Sequence, residues 1–373
     1  MRSLAASQFP NRADCNPYIR LLKSSLTEWG VRSHEHEMFV DGRGLPYPQL
    51  DPLWLFRHRG QVSVLHFHWL QKFYRAASPE QAERRLAQFA DFLCIAKELD
   101  YRVVYTFHNL LPHEGMGEEM DFRVRRLMIK HANLLFCFSH RQQAQLQETF
   151  GPLPLAVIPH PNYIGYYPDN LPADECRRRL GLPQEARVFC YLGLVRPYKE
   201  LEALVSAFAE LQAPEVHLVL AGVSLEEQLG RRIAELTQGK ARIHSYLRWI
   251  EDEELQVFLK AADAVVLPYG RCWCSGAMLL AFSFGKPVIS ADPLMIDNPA
   301  GLGFFYAEAA GLPAALEQAA GSQELAEMGR RCLEYARSQP WSKAGRQFAT
   351  AYLTACGKVS EGERPVAAVG RVA

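Results

Sequence analysis

Residues 188–199 read Val-Phe-Cys-Tyr-Leu-Gly-Leu-Val-Arg-Pro-Tyr-Lys, and this stretch decides the fold. An apolar run that is broken by Gly193 and followed by a helical pattern from Leu201 predicts a buried strand, a tight turn and a helix. Residues 264–276, Ala-Val-Val-Leu-Pro-Tyr-Gly-Arg-Cys-Trp-Cys-Ser-Gly, repeat the arrangement before an apolar helix that begins at Gly276. Buried strands that each lead into a helix are typical of parallel α/β sheets.

The same alternation of strands and helices extends along nearly the whole chain in two series. The first series predicts strands at 2–6, 62–68, 102–108, 134–139 and 155–158, with helices at 18–29, 79–99, 123–132 and 141–150. The second predicts strands at 188–192, 216–221, 241–244, 264–267 and 287–290, with helices at 201–211, 225–237, 252–261, 276–284 and 313–338. We therefore expect two α/β domains, residues 1–164 and 165–340, then a helix at 341–355 and a flexible tail at 356–373.

The composition is that of an ordinary globular protein and limits the function classes. The 373 residues carry 41 basic and 41 acidic side chains, which argues against a general nucleic-acid binder, since such proteins carry a basic excess. The nine cysteines form no CxxC pair, which favours free thiols in a reducing compartment. Residues 1–9 lack the apolar core of a signal peptide, and no apolar stretch of about 18 residues occurs, so we expect a cytoplasmic protein.

The two strand–turn–helix segments also form a candidate site for an anionic ligand. Gly193 allows close backbone approach, and Arg196 and Lys199 would place two cations beside a pyrophosphate. Ser275 is a suitable N-cap, and the N–H groups of the helix that begins at Gly276 would bind an anion with the help of the helix dipole. A solvated basic loop and simple helix capping are the structural alternatives. Together, the two segments favour binding of a diphosphate without a metal.

Three motifs stand in a characteristic order in this half of the chain. They are G-x-x-R-x-x-K from Gly193, A-D-A-x-V-x-P from Ala262, and S-G-x-x-x-L-A-x-x-x-G-K-P-V-I from Ser275. This order resembles the donor half of group 1 glycosyltransferases. With N-P-Y, L-H-x-H-W, H-N-L-x-P-H-E, R-P-Y-K and L-P-Y before S-G, the sequence also resembles bacterial exopolysaccharide glycosyltransferases of the xanthan β-mannosyltransferase type. The resemblance implies an α/β GT-B fold, in which two Rossmann-like domains face each other across a cleft and the last helix packs back on the first domain.

The resemblance also implies which residues bind the donor. The two cations would grip its phosphates, the start of the helix after the second strand would face them, and residues 244–247 would border the nucleobase. The predicted donor-binding residues are Gly193, Arg196, Lys199, Tyr246, Leu247, Pro268, Tyr269, Ser275 and Gly276.

One departure from the family pattern bears on the stereochemistry. Retaining members carry the motif E-x7-E, and the corresponding places in this sequence hold Cys272 and Leu280. Neither side chain accepts a hydroxyl hydrogen bond as a carboxylate does, so the departure favours inversion over retention. No DxD motif occurs either, and we therefore expect no metal.

Histidines are concentrated in the first half of the chain, where the chemistry is expected. His66 and His68 share one face of a predicted strand and are either structural or part of the cleft; a zinc site is disfavoured because no third ligand accompanies them. His108 stands where the family has a histidine that contacts donor or acceptor. An inverting transfer needs a base for the acceptor hydroxyl, and His108 and Glu114 are the two candidates. The other predicted residues on the acceptor side are Asn16, His66, His68, Asn109 and His113.

These observations predict a hexosyltransferase that takes a sugar from a GDP- or UDP-linked donor to a lipid-linked or polysaccharide acceptor, with no cofactor, no metal and no nucleic-acid partner. A retaining transferase, a GT-B nucleotide-sugar epimerase and a catalytically silent subunit that binds nucleotide sugar remain as alternatives. The basic stretch 122–131 is either a face for peripheral contact with the inner membrane or an ordinary half-buried helix, and its pattern favours the second.

Overall fold

The computed structural model describes residues 4–10, 16–36, 38–40, 46–48, 50–113 and 115–358. The chain divides into two compact units, one formed by Met1–Pro159 with Trp341–Ala373 and the other by His160–Pro340. The predicted flexible tail lies outside the described residues from position 359 onward. Within the described ranges, no helix is both long and apolar enough to cross a membrane.

The first unit is built on a six-stranded parallel sheet. A separate antiparallel pair, β3/β4, lies outside this sheet. In chain order, the strands of the unit are β1 Ala5–Phe9, β2 Arg32–Ser33, β3 Met38–Val40, β4 Pro46–Pro48, β5 Val64–Phe67, β6 Arg102–Thr106, β7 Leu134–Cys137 and β8 Leu155–Val157. The sheet order is β2-β1-β5-β6-β7-β8, so it reverses between β1 and β5. The helices between these strands are α1 Tyr18–Glu28, α2 Pro52–His58, α3 Gln71–Tyr74, α4 Pro79–Glu98, α5 Glu118–His131 and α6 His140–Phe150.

The C-terminal helix, Trp341–Ala355, belongs to the core of the first unit. Phe348 and Tyr352 are fully buried, and the Phe348 ring packs edge-on against Phe136 of β7 with 4.9 Å between ring centroids. The Tyr352 hydroxyl hydrogen-bonds Nδ1 of His66 on β5. Burial of an aromatic side chain contributes about 1.5–3 kcal/mol, so this helix is a substantial part of the stability of the unit.

The second unit is built on another six-stranded parallel sheet. Its strands are β9 Arg187–Leu192, β10 Val216–Ala221, β11 Ile243–Tyr246, β12 Ala264–Leu267, β13 Val288–Ala291 and β14 Gly303–Tyr306. Their order is β11-β10-β9-β12-β13-β14, which is the Rossmann order and reverses between β9 and β12. The helices are α7 Ala173–Arg179, α8 Leu201–Glu210, α9 Glu227–Thr237, α10 Leu255–Ala261, α11 Gly276–Ser283, α12 Leu312–Gly321 and α13 Leu325–Ser338. The predicted two-sheet α/β fold is therefore confirmed.

Some predicted element bounds were wrong. The single helix predicted at 313–338 is two helices, because the chain leaves the helix at Ser322, whose hydroxyl accepts a hydrogen bond from the N–H of Glu324. Strand β14, which begins at Gly303, was not predicted. The structure explains this glycine: a Cβ on Gly303 would lie 2.2 Å from the carbonyl oxygen of Val288 on β13.

Two glycine turns, at the carboxyl ends of β9 and β10, approach each other closely. Gly193 has a φ of +149° and Gly222 a φ of +140°. A Cβ on Gly222 would lie 1.8 Å from the carbonyl oxygen of Gly193. Because only a hydrogen atom fits there, Gly222 fixes the path of the loop that carries Arg196 and Lys199.

We expect Gly222→Ala to destabilise the second unit by about 3–5 kcal/mol, because it combines an unfavourable φ with a collision against backbone. The matched control is Gly239→Ala: Gly239 has a φ of +72°, but nothing lies within 4 Å of an added Cβ. The control should cost only about 1–2 kcal/mol. Urea unfolding followed by circular dichroism measures both changes, and equal changes would contradict the close approach.

Candidate active site

The candidate site of the second unit lies where the strand order of its sheet reverses. Strands β9 and β12 are direct neighbours there, and the loops at 193–199 and 268–275 leave their carboxyl ends. Ligands of open α/β sheets bind in the crevice outside the strand ends at such a switch point. The two segments that the sequence analysis singled out are therefore adjacent at the position where this fold holds its ligand.

Lys199 links the two loops. Its ammonium group lies 3.9 Å from the ring centroid of Tyr269, which follows β12, and 5.1 Å from that of Tyr198. Burial lowers the pKa of Lys199. Contacts between a desolvated cation and an aromatic face contribute about 2 kcal/mol, but they leave the charge itself unbalanced. Lys199 therefore presents a poorly hydrated positive charge at the switch point, which favours an anionic ligand.

Arg196 and the start of α11 supply further groups for an anion. Arg196 is half-buried and extended in backbone, directly before the short 3-10 helix Pro197–Lys199. The hydroxyl of Ser275 caps α11 by accepting from the N–H of Met278 at 3.3 Å. The first N–H groups of a helix, here those of Gly276 and Ala277, have no acceptor within the helix and lie at the positive end of its dipole.

The other predicted donor residues lie farther from the switch point or inside the unit. The Tyr246 hydroxyl, on β11, donates to the carbonyl oxygen of Leu180 at 2.9 Å, and its ring packs edge-on against Phe258. Leu247 is half-buried after the same strand, and Pro268 is buried at the end of β12. Tyr246 and Leu247 thus lie two strands away from β9. The predicted residues on or directly after the two adjacent loops are Gly193, Arg196, Lys199, Tyr269, Ser275 and Gly276.

In the first unit, His66 lies inside the core. It is fully buried; its Nε2 hydrogen-bonds the Thr106 hydroxyl at 2.8 Å and its Nδ1 the Tyr352 hydroxyl. Burial lowers the pKa of His66 well below 6.5, so the ring stays neutral. This is the arrangement of a structural histidine. Within the part of the chain that the structure describes, no three His, Cys, Asp or Glu side chains are placed to hold a metal.

His68 and His108 form a hydrogen-bonded pair at the carboxyl ends of β5 and β6. Nδ1 of His68 lies 3.0 Å from Nε2 of His108, and Nε2 of His68 lies 3.0 Å from Oε1 of Gln8 on β1. Burial lowers the pKa of His68 well below 6.5, so His68 is neutral and carries one N–H. With that N–H donated to Gln8, Nδ1 of His68 accepts from the Nε2–H of His108. The lone pair of a neutral His108 then lies on Nδ1.

Aromatic rings fix the orientation of His108. Trp69 stacks on it at 4.4 Å between centroids with 24° between the planes, and Tyr18 and Phe138 meet it edge-on at 5.0 and 5.4 Å. His108 is buried as a result. The side-chain oxygen of Asn16 accepts from the N–H of Tyr18 at 2.9 Å, so Asn16 shapes the start of α1 beside this cluster.

The loop after His108 is attached to α5 by two buried charged residues. Arg125 donates to the carbonyl oxygens of Asn109 and Leu110, at 3.2 and 3.0 Å. Asp121 accepts from the N–H of Met116 at 3.2 Å. Within this loop His113 is exposed, and Glu114 lies outside the described residues.

Helix α5 contains the whole basic stretch 122–131, for which the sequence left a membrane face as one interpretation. Val124 and Met128 are buried, and so is Arg125. Arg123 forms a two-armed ion pair with Glu83 on α4. The helix therefore matches the half-buried alternative that its sequence pattern favours.

The sequence analysis missed Gln8, Asp121 and Arg125. A signal existed for each: Gln8 lies in the otherwise small or apolar run that became β1, and Asp121 and Arg125 are four residues apart on the face of α5 that carries its apolar residues. Polar groups in such places are found buried only when they have partners.

Comparisons with known proteins identify relatives of the chain. The family described as "Glycosyl transferases group 1" matches residues 172–299, within the second unit. The chain is 28% identical over 303 residues to the GDP-mannose:glycolipid 4-beta-D-mannosyltransferase of Xanthomonas campestris pv. campestris. The aligned residues cover 80% of this chain and 81% of that protein. It is 25% identical over 283 residues to the D-inositol 3-phosphate glycosyltransferase of Corynebacterium aurimucosum, over 69% of this chain and 67% of that one.

The fold has relatives among solved structures. Sucrose-phosphate synthase of Thermosynechococcus elongatus matches with a TM-score of 0.71 over 96% of this chain and 100% of that chain, at 19% sequence identity, a likeness that concerns the fold alone. The family match lies in the second Rossmann-like unit, and both relatives named above are glycosyltransferases. The chain therefore contains a group 1 glycosyltransferase region at residues 172–299 within a GT-B fold, and these findings support a glycosyltransferase enzyme.

Proposed function

We propose that this glycosyltransferase transfers a hexose from a GDP- or UDP-linked sugar to a lipid-linked or polysaccharide acceptor, with inversion and without a metal ion or other cofactor. The observation that carries the proposal is the poorly hydrated ammonium of Lys199 at the switch point, with Arg196 and the start of α11 on the same two loops. Cations and oriented N–H groups balance the charge of a diphosphate, which is the leaving group of this reaction.

The donor and acceptor classes are supported by a relative. The Xanthomonas protein is named for GDP-mannose, a glycolipid and a β-linked product. We extend these to the present chain as the first substrates to test. A β-linked product from an α-linked donor requires inversion, which agrees with Cys272 and Leu280 in place of the carboxylates of retaining members. A lipid-linked acceptor would bring the chain to the inner face of the cell membrane as a peripheral contact.

The proposed base is Nδ1 of His108. In the reaction, the acceptor hydroxyl oxygen bonds to the anomeric carbon while the bond from that carbon to the diphosphate oxygen breaks. The hydroxyl proton goes to the base, and the electron pair leaves with the diphosphate. The pair with neutral His68, held by Gln8, leaves the lone pair of His108 on Nδ1, and the stacked Trp69 fixes the ring plane. Glu114 remains the alternative base from the same loop.

Removal of the Arg196 guanidinium should weaken nucleoside diphosphate binding by about 10–150-fold, since a hydrogen bond to a charged group is worth about 1.5–3 kcal/mol. Calorimetric titration of Arg196→Ala with GDP and UDP measures this loss. The control is Arg231→Ala, since Arg231 is an exposed residue of α9 paired with Glu227. An unchanged affinity in Arg196→Ala, or an equal loss in the control, would contradict the proposed donor site.

The lowered pKa of Lys199 predicts a pH dependence of donor binding. A bound diphosphate favours the protonated amine, so affinity is full below the pKa of the free protein and falls as pH rises through it, by up to about tenfold per pH unit. Lys199→Arg should remove this decline, because a guanidinium stays protonated throughout. Titrations with GDP between about pH 7 and pH 10 measure it. An identical pH dependence in both proteins would mean that Lys199 does not contact the diphosphate.

Loss of the base should lower kcat by about 10²–10⁴-fold without weakening donor binding. We would assay His108→Ala and Glu114→Ala at saturating donor and acceptor in the presence of chelator, with exposed His140→Ala as control. The configuration of the product is read by NMR. A retained configuration, or full activity in both variants, would overturn the mechanism, and abolition of wild-type activity by chelator would reveal a metal.

A further inference from the structure

The residue that directly follows Lys199 has an unusual backbone. Glu200 has φ +53° and ψ +37°, in the left-handed region, and among the described residues only Asp100 shares a positive φ without being glycine. Such a conformation costs a side-chain-bearing residue about 1–3 kcal/mol and tends to occur at functional sites. Glu200 stands at the N-cap of α8, but its side chain makes no capping hydrogen bond there. Helix capping therefore does not account for a glutamate at this position.

The side chain instead crosses the switch point. Oε1 of Glu200 accepts a hydrogen bond from the N–H of Gly270 at 3.2 Å. Gly270 belongs to the loop after β12, and a Cβ added to it would lie 2.8 Å from the same oxygen. The absence of a side chain at Gly270 thus leaves space for the carboxylate of Glu200. Glu200 follows the loop after β9, and its carboxylate contacts the loop after β12. Oε2 accepts no hydrogen bond from the described part of the chain, and the residue is half-buried.

The two loops contain no other carboxylate. Residues 193–199 and 268–276 include neither Asp nor Glu. Cys272, in the second loop, is buried, and burial raises the pKa of its thiol to about 12, so it stays neutral. Asp292 follows β13, one strand farther from the switch point, and acts electrostatically on Cys272 of the second loop. Glu200 is therefore the one acidic side chain that these loops and their junction with α8 bring to the switch point.

We propose that Glu200 binds hydroxyl groups of the donor's sugar and so helps to select the hexose. This inference rests on the proposed function, in which the diphosphate occupies the same two loops. The diphosphate would interact with the cations and N–H groups. A carboxylate repels phosphate but accepts hydrogen bonds from neutral hydroxyl groups, and the sugar attached to the diphosphate carries such groups. An ionised carboxylate has about four acceptor positions; one is used by Gly270, and Oε2 offers others for sugar hydroxyls.

The test compares a ligand with the sugar to one without it. Affinities for GDP and GDP-mannose, and for UDP and UDP-glucose, are measured calorimetrically without acceptor for wild type, Glu200→Gln and Glu200→Gly. We expect the affinity for the intact donor to fall by about tenfold or more, and that for the nucleoside diphosphate to stay within about twofold. Glu200→Gly relieves the backbone conformation, so its melting temperature should not fall despite the weaker donor binding. The control is Glu202→Gln, two residues along in α8, where Glu202 pairs with Arg232.

The outcomes separate this inference from the proposed function. If wild type binds none of the four ligands, or if Arg196→Ala binds them as wild type does, the donor site itself is wrong and this inference falls with it. If wild type binds donor and the Glu200 variants bind it equally well, only the role of Glu200 is overturned. An equal loss of affinity for donor and for nucleoside diphosphate in the Glu200 variants would overturn the sugar contact and show a structural role instead. If Asp292→Asn selectively lost affinity for the donor and the Glu200 variants did not, the sugar contact would be assigned to the end of β13.

Discussion

The ammonium of Lys199 over the ring of Tyr269 is the interaction on which the candidate site of the second unit depends. It joins the loop after β9 to the loop after β12 and keeps a cation where water is scarce. A charge in that setting interacts more strongly with an anion than it would in bulk water. The nearby features support it: Gly193 and Gly222 fix the path of the first loop, and Ser275 ends the second at a helix start. Under the proposed function, the groups that recognise a diphosphate are thus in place before the ligand binds.

The two units share one architectural rule but place different polar groups at the ends of their strands. In each parallel sheet the carboxyl ends of the strands beside the reversal carry the polar groups. In the second unit these groups are cations and N–H groups. In the first they are the amide of Gln8 and the imidazoles of His68 and His108, enclosed by aromatic rings. One unit is suited to hold a stable anion and the other to accept a proton.

Much of this was predictable from the sequence because local signals determined it. Buried strands appeared as apolar runs, and Gly193 and Ser275 marked a turn and a helix start that the structure contains. What the sequence left open depended on distant partners. Alternation placed His66 and His68 on one face, but only Tyr352, 286 residues later in the chain, shows that His66 belongs to the core. Likewise, the crossing of Glu200 to Gly270 joins residues 70 apart, which no local pattern reports.

The position of the C-terminal helix has a consequence for how the chain is made. The first unit consists of Met1–Pro159 and Trp341–Ala373, so the whole second unit is inserted within it. During synthesis the first six-stranded sheet emerges before the second unit, but the helix that contacts His66 and Phe136 is translated after the second unit. Domains generally fold as they leave the ribosome, so the second unit can reach its native state while the first still waits with part of its apolar surface uncovered. The surface of the first unit that the C-terminal helix covers is therefore exposed until the second unit has been synthesised.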